Sequence, residues 1–387
     1  MALASEATRV ETNTARTIEP PCTPGCFVKH WHETAAILDQ ASRLAAAGVR
    51  SAVATVVRIS GSAYRRPGAK FLAAEDGSTA GGVSGGCLET DVRATALEVI
   101  REGAPRLLQY ETGSDEETVW GMGLGCEGAV QLFVAPVAGD LLSRTAPRIR
   151  DLIAKRLPLA ICTPVEGPHA GSAIVLGAGA WSGTTGSPEL DAACADRVPA
   201  RLEDGKSSLE TIAGQSIFVD ILRPPPTLVI FGAGDDARPL SAVAAEAGFS
   251  ITVVDHRRAY LTPERFPEQV RLVLRRPEDG AEDLGLDRRS FVVIQMHALR
   301  HDREWMRAIG NEPVAYVGLL GPSARKEHIL RELGLGDGER LFAPVGLDLG
   351  ADGPEQVAIS IVAEMLAVHA GRRPEHLRDR RGGIHDG

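Results

Sequence analysis

The stretch 228–240, LVIFGAGDDARPL, sets an apolar, strand-like run against a glycine turn and then a helical pattern. Its glycines have the G-x-G-x-x-A spacing of a dinucleotide-binding turn. In that turn Gly232 reverses the chain, Gly234 lets a pyrophosphate approach the backbone, and small Ala237 allows the helix to pack on the strand. Asp255 closes the next strand pattern, ITVVD, 21 residues beyond Gly234, where an acid can accept from a ribose hydroxyl. Asp235 and Asp236 either stand where phosphates would lie or cap the helix. Arg257 and Arg258, just past the acid, either accept a 2′-phosphate or stay solvated.

Outward from this turn the alternation continues. Strands are predicted at 291–295 and 314–320, and helices at 301–309, 323–333 and 354–370. Strand–helix alternation of this kind predicts a parallel sheet covered on both faces. His297, followed by His301 and Asp302, falls at the carboxyl end of a strand, where open α/β sheets bind ligands.

Upstream, Arg223-Pro224-Pro225-Pro226 is a stiff linker and a domain boundary. The expected organisation is a mobile tail at 1–30, an α+β domain at 31–138 and a middle section at 139–226. A Rossmann-like domain at 227–370 and a disordered tail at 371–387 follow. The α+β domain should contain a helix at 33–47, strands at 51–59, 70–74 and 129–136, and a helix at 88–102. Within the middle section a helix near 140–156, strands at 159–163, 172–176 and 217–222, and a loop at 182–187 are expected. The fold class is therefore α/β: an N-terminal α+β cysteine-loop domain joined to a C-terminal Rossmann-like domain.

The chemistry-bearing residues cluster in two glycine-rich loops. In Gly81-Gly82-Val83-Ser84-Gly85-Gly86-Cys87-Leu88-Glu89, four glycines within six residues point to unusual torsions or close approach to a ligand. Gly85 and Gly86 precede Cys87 at a helix start, whose positive end favours thiolate. Glu89 is near enough to orient a donor or take a proton. The loop 120–128, WGMGLGCEG, repeats the design with Cys126 and Glu127. Cys87 and Cys126 can converge on a metal or a soft electrophile, or both are small residues in tight turns. Arg65, Arg66 and Lys70, on a strand-end loop, either hold a phosphate or pterin-like anion or form a solvated hairpin loop. Cys22, Cys26, His30 and His32 lack the spacing of a structural zinc site. Cys162 and Cys194 are expected to be packing or surface residues.

Composition narrows the function classes. The 387 residues carry 42 Lys and Arg against 51 Asp and Glu, a formal net charge of −9. That acidity argues against a general nucleic-acid binder. Aromatics at 4% do not furnish a base-stacking surface. Six cysteines are too few for a disulfide scaffold. With neither a signal-peptide pattern nor an apolar run long enough to span a bilayer, a cytoplasmic protein is expected.

The run 61–89 (GSAYRRPGAKFLAAEDGSTAGGVSGGCLE), the 120–128 loop and the GAG turn with Asp255 resemble the XdhC/CoxI family in its long form. YVGLLGPSARK at 316–326, APVGL at 343–347 and PEQVAISIVAE at 354–364 carry the same resemblance. It departs at Asp235, where members often have histidine, and in the long N-terminal tail. The resemblance implies an accessory protein for molybdenum hydroxylases of the xanthine dehydrogenase type. Such a protein binds molybdenum cofactor (molybdopterin), presents it to a cysteine desulfurase for sulfuration and hands it to the apoenzyme. Cys87 and Cys126 match the two loop cysteines, and a homodimer is expected. Two other readings stand beside this one. The first is an enzyme that pairs NAD(P) in the Rossmann half with a metal or nucleophile at Cys87 and Cys126. The second is a docking scaffold with a vestigial site.

Overall fold

The computed structural model describes residues 29–61, 65–112, 128–137, 139, 141–202 and 205–379. The chain divides between Pro225 and Pro226 into two compact units.

In the N-terminal unit α1 (Lys29–Ala46) precedes β1 (Ser51–Gly61), β2 (Lys70–Ala74) and β3 (Thr79–Gly81). Then follow α2 (Glu89–Glu102), β4 (Arg106–Thr112) and β5 (Gly128–Pro136). The antiparallel sheet runs β3-β2-β1-β5-β4. Alternation along β2 sorts its side chains by face: Phe71 and Ala73 pack with Val92, Ala96 and Val99 of α2. Leu72 and Ala74 pack with Ile37, Ala41 and Leu44 of α1. Period-two burial on both faces is why this strand is apolar throughout.

A second antiparallel sheet belongs to the same unit. A π-helical turn at Leu141–Thr145 leads into α3 (Ala146–Ala154), then β6 (Leu159–Pro164), β7 (Ala173–Gly177) and β8 (Ala180–Thr184). After α4 (Pro188–Arg197) come β9 (Ser208–Ile212) and β10 (Gln215–Leu222), giving the order β8-β7-β6-β10-β9. Leu190 and Cys194 of α4 cover one face with Cys162 and Val219. On the other face, Trp31 and Leu38 of α1 join Ile149 and Leu152 of α3, so α1 serves both sheets.

The C-terminal unit contains β11 (Thr227–Phe231), α5 (Ala237–Ala247), β12 (Ser250–Asp255), β13 (Arg271–Leu274) and β14 (Phe291–Ile294). It continues with α6 (Leu299–Ile309), β15 (Tyr316–Leu319), α7 (Ser323–Leu333), β16 (Leu341–Phe342) and α8 (Pro354–His369). All pairings are parallel, in the order β13-β12-β11-β14-β15-β16. α5 and α8 cover one face, and α6 and α7 the other. This is the doubly wound Rossmann arrangement, with its topological switch between β11 and β14.

Several elements differ from expectation. Residues 182–184, expected in a loop, belong to β8, an edge strand whose Gly183 adopts φ +86°. A side chain at Gly183 would lie 2.4 Å from the Ala173 carbonyl, so only glycine fits this strand position. Elements β4, α4, β9, β13 and β16 are also additions. The expected 371–387 tail contains a short 3₁₀ turn at Leu377–Asp379, and residues 380–387 lie outside the described residues.

Candidate functional site

The Cys87 loop lies between β3 and α2. Val83 and Leu88 are buried at its two ends and nail it to the core, while Gly85 and Gly86 between them are exposed. At its start Gly81 takes φ +76°, and an added Cβ would sit 2.3 Å from the Lys70 carbonyl. That same carbonyl accepts the Gly82 amide at 2.8 Å.

Glu89 reaches back from the first turn of α2. Its Oε1 accepts the amides of Val83 (3.1 Å) and Ser84 (2.9 Å), and its Oε2 accepts the Ser84 hydroxyl. Ser84 Oγ in turn accepts the amides of Gly86 and Leu88, each at 3.1 Å. A hydroxyl has one proton and two lone pairs, so Ser84 is saturated. It pins the residues immediately before and after Cys87, and the positive φ of Gly86 (+113°) lets the first of these amides turn inward. Cys87 itself is half-buried and unbridged. Burial pulls the Glu89 carboxyl up, but the bonds from Ser84 and the loop amides outweigh it and hold the group below its ordinary range.

Thus Glu89, expected to orient a donor or take a proton, accepts from the Ser84 hydroxyl and two loop amides and buttresses the loop. The amides of 82, 83, 84, 86 and 88 are all spent internally, so none of these five is available to an anion. Ser84 does not stand out in the sequence. Its signal is a Ser and a Glu, five positions apart, bracketing paired glycines and a cysteine.

The basic residues separate. Arg65 pairs through Nη2 with Glu33 of α1 (2.5 and 2.6 Å). Burial raises the Glu33 carboxyl above its ordinary value despite the pull of Arg65 and Lys70. The Lys70 ammonium is buried, donating to the Gly68 carbonyl (2.9 Å) and Asp220 Oδ2 of β10 (2.5 Å). Arg66 is exposed. Cys126 and Glu127, like Cys22 and Cys26, lie outside the described residues. Among the described residues, no group of three or more His, Cys, Asp or Glu side chains is arranged to hold a metal ion. Cys162 and Cys194 are fully buried side by side in one core cluster, as packing residues would be.

In the C-terminal unit the fingerprint has the expected backbone. Gly232 has φ +113°, and a Cβ there would lie 2.5 Å from the Gln295 carbonyl. Ala237 is fully buried at the start of α5. Asp236 precedes the helix without capping it by side chain; its Oδ2 instead meets His297 Nε2 at 2.8 Å. His297 adopts φ +56° and borders Gly234, whose added Cβ would contact its ring at 3.7 Å. Asp235 pairs with Arg265 Nη2 (3.1 Å), which also donates to the Ala233 carbonyl at 3.1 Å.

Asp255 is fully buried at the end of β12. Its Oδ2 accepts the Ala233 amide (2.7 Å) and Arg257 Nη2 (2.8 Å). Oδ1 accepts the amide of Arg257 (2.8 Å) and its Nε (3.0 Å). Burial raises this carboxyl, yet the guanidinium fork and the two amides prevail and hold it below the ordinary carboxylate range. The Arg257 guanidinium lies 4.0 Å from the centre of the Tyr260 ring. His301 stacks edge-on against His256 at 4.6 Å, and buried Asp302 accepts the Met296 amide (3.0 Å) while pairing with Arg325. His297, His301 and Asp302 therefore share the carboxyl edge of the sheet but face different partners. Nothing in the sequence pattern singles out Tyr260, Arg265 or the Asp236–His297 pair.

Two family models match: "XdhC and CoxI family" over residues 44–111 and "XdhC Rossmann domain" over 228–365. The chain is 30% identical over 321 residues to a probable xanthine dehydrogenase subunit of Bacillus subtilis, covering 81% of this chain and 92% of the relative. It is 25% identical over 358 residues to the "Molybdenum cofactor insertion chaperone PaoD" of Escherichia coli, covering 88% and 93%. A crystal structure described as a xanthine dehydrogenase from Bacillus halodurans superposes with a TM-score of 0.72 at 29% identity, covering 87% of this chain and 96% of that one. The match of one family model over the Cys87 loop, of the other over the 232–237 turn, and a 30% identical relative covered over 92% of its length place this protein in the XdhC and CoxI family.

Proposed function

We propose that this chain is an accessory protein that binds molybdenum cofactor, holds it for sulfuration and delivers it to a molybdenum hydroxylase of the xanthine dehydrogenase type. The observation that carries this reading is the Ser84–Glu89 clamp, which fixes the backbone on both sides of a half-buried, unbridged Cys87. A thiol presented on a rigid loop suits a metal or a transferable sulfur, since thiolate is the ligating form. The Bacillus relative's name supports the xanthine dehydrogenase connection, and the Escherichia relative's name supports cofactor insertion.

The donor set defines how the cofactor fits. The bound cofactor supplies the molybdenum centre and its exchangeable ligand. The Cys87 thiolate would offer a ligand to the metal, and exposed Arg66 would offer a cation to the pterin phosphate. Because Glu89 and Ser84 take four of the loop amides, side chains such as Arg66 would carry most of the hold on the phosphate. Cys126 is the second candidate thiol. A cysteine desulfurase, the hydroxylase apoenzyme and a second copy of this chain are the expected partners.

The test is cofactor retention after anaerobic purification from cells that make molybdopterin, read by molybdenum analysis and the absorption spectrum. Cys87→Ala should lose bound cofactor by about tenfold or more, roughly 1.4 kcal/mol, with an unchanged melting temperature. Equal retention in Cys87→Ala and the parent chain overturns the role of this thiol.

A further inference from the structure

We propose that Arg257 fills the ribose-binding corner of the Rossmann unit from within, so that the intact chain rejects NAD(H) despite its complete fingerprint. This inference concerns the C-terminal unit alone and does not rest on the role of Cys87.

In a dinucleotide fold the acid ending the second strand earns its place by accepting from a ribose hydroxyl. Asp255 holds that position at the end of β12. A carboxylate offers about four lone-pair sites. Here four N–H donors take them: the Ala233 amide and Arg257 Nη2 on Oδ2, and the Arg257 amide and Nε on Oδ1. The carboxylate has no exposed surface left to meet a ligand.

The occupant is braced as well as bonded. Its guanidinium makes a charge-assisted, two-pronged contact, the strongest class of carboxylate pairing. It also lies 4.0 Å from the Tyr260 ring centre, with Arg265 5.1 Å from the same centre. Tyr260 thus takes both guanidiniums by cation–π contact. Arg265 is anchored in turn on the Ala233 carbonyl and Asp235, so the corner is tied to the glycine turn itself. To bind, a ribose diol has to displace Arg257 and then leave a guanidinium without its carboxylate. The crevice is therefore open to ligands that make no demand on Asp255.

Fluorescence titration of the full-length chain with NADH tests this. The parent chain should show no saturable binding. Arg257→Gln should bind NADH saturably, with a Kd about tenfold or more below the highest concentration at which the parent shows no saturation. The gain should vanish in the Asp255→Asn/Arg257→Gln double variant, because it runs through the freed carboxylate. Tyr260→Leu, which removes the brace and leaves the buried pair intact, should give a smaller gain and serves if Arg257→Gln does not fold. Saturable NADH binding by the parent overturns the proposal. So does the absence of any gain in a folded Arg257→Gln or Tyr260→Leu chain, or a gain that survives in the double variant.

Discussion

The glycine loops at 81–88 and 232–237 both carry a strand into a helix, and in both a carboxylate accepts from the loop backbone, two amides at Glu89 and one at Asp255. They differ in where that acid originates. Glu89 is local, on the helix the loop feeds, and shares its work with a serine hydroxyl inside the loop. Asp255 is remote, at the tip of the neighbouring strand, fully buried and forked by Arg257. The local arrangement leaves a half-buried thiol at the loop's end, whereas the remote one closes a ligand corner. Glycine density signals that backbone approaches something closely. At Gly81 and Gly232 that something is a main-chain carbonyl of the chain itself, of Lys70 and of Gln295.

The contrast can be broken most forcefully at the glycines. Gly232 and Gly86 share φ +113°, but an added Cβ meets the Gln295 carbonyl at 2.5 Å in the first and nothing within 4 Å in the second. Gly232→Ala should therefore destabilise by about 3 kcal/mol or more, and Gly86→Ala by about 1 kcal/mol. Urea unfolding of the two variants measures the gap, and equal costs would erase the distinction.

Asp255→Asn comes next, with an expected loss of roughly 2–4 kcal/mol from a broken buried pair. Its pH signature has a definite sign. The folded carboxyl lies below its unfolded value, so on acidification the unfolded chain takes the proton first. Asp255 thus contributes stability at neutral pH that fades as pH falls below about 4. The Asn variant should lose that part of the acid slope in melting temperature.

Ser84→Ala should cost about 1 kcal/mol of global stability, comparable to Gly86→Ala, because the part-buried Leu88 amide and the exposed Gly86 amide lose their acceptor. Its sharper readout is local: hydrogen exchange at the Gly86 and Leu88 amides should accelerate, and Ser84→Thr should largely restore protection. Unchanged exchange in the alanine variant would dissolve the clamp around Cys87.

Much of the architecture was legible in the sequence, and the reasons are physical. Helices α5 and α7 appear where the sequence predicts helices at 237–247 and 323–333, because each is flanked by glycine, at 234 and 248 and at 321 and 334, with an apolar stripe between. Strand β13 escaped because four residues with charged neighbours show no period. Strand β16 is only two residues long. Strand β8 escaped because serine and glycine on a sheet edge look like a turn. At the candidate sites, positions were readable but occupancy was not. Asp255 stands where the spacing puts it, yet which donor fills it depends on a side chain folding back from two residues later and on a ring at 260. Likewise Cys87 was visible, whereas the hydroxyl that fixes it required knowing that the chain doubles back at Gly86.

Lys70 gives the second sheet a stake in the first. Its carbonyl holds the Gly82 amide, while its buried ammonium rests on Asp220 of β10. Dissecting the N-terminal unit into a minimal cysteine-bearing fragment by cutting after β5 would remove that counter-charge. It would leave the ammonium with the Gly68 carbonyl as its partner and uncover Val57 and Phe133, which pack against Val165 and Phe218. The same cut loosens the residue from which the Cys87 loop hangs, so a working piece of this protein has to extend to the end of β10.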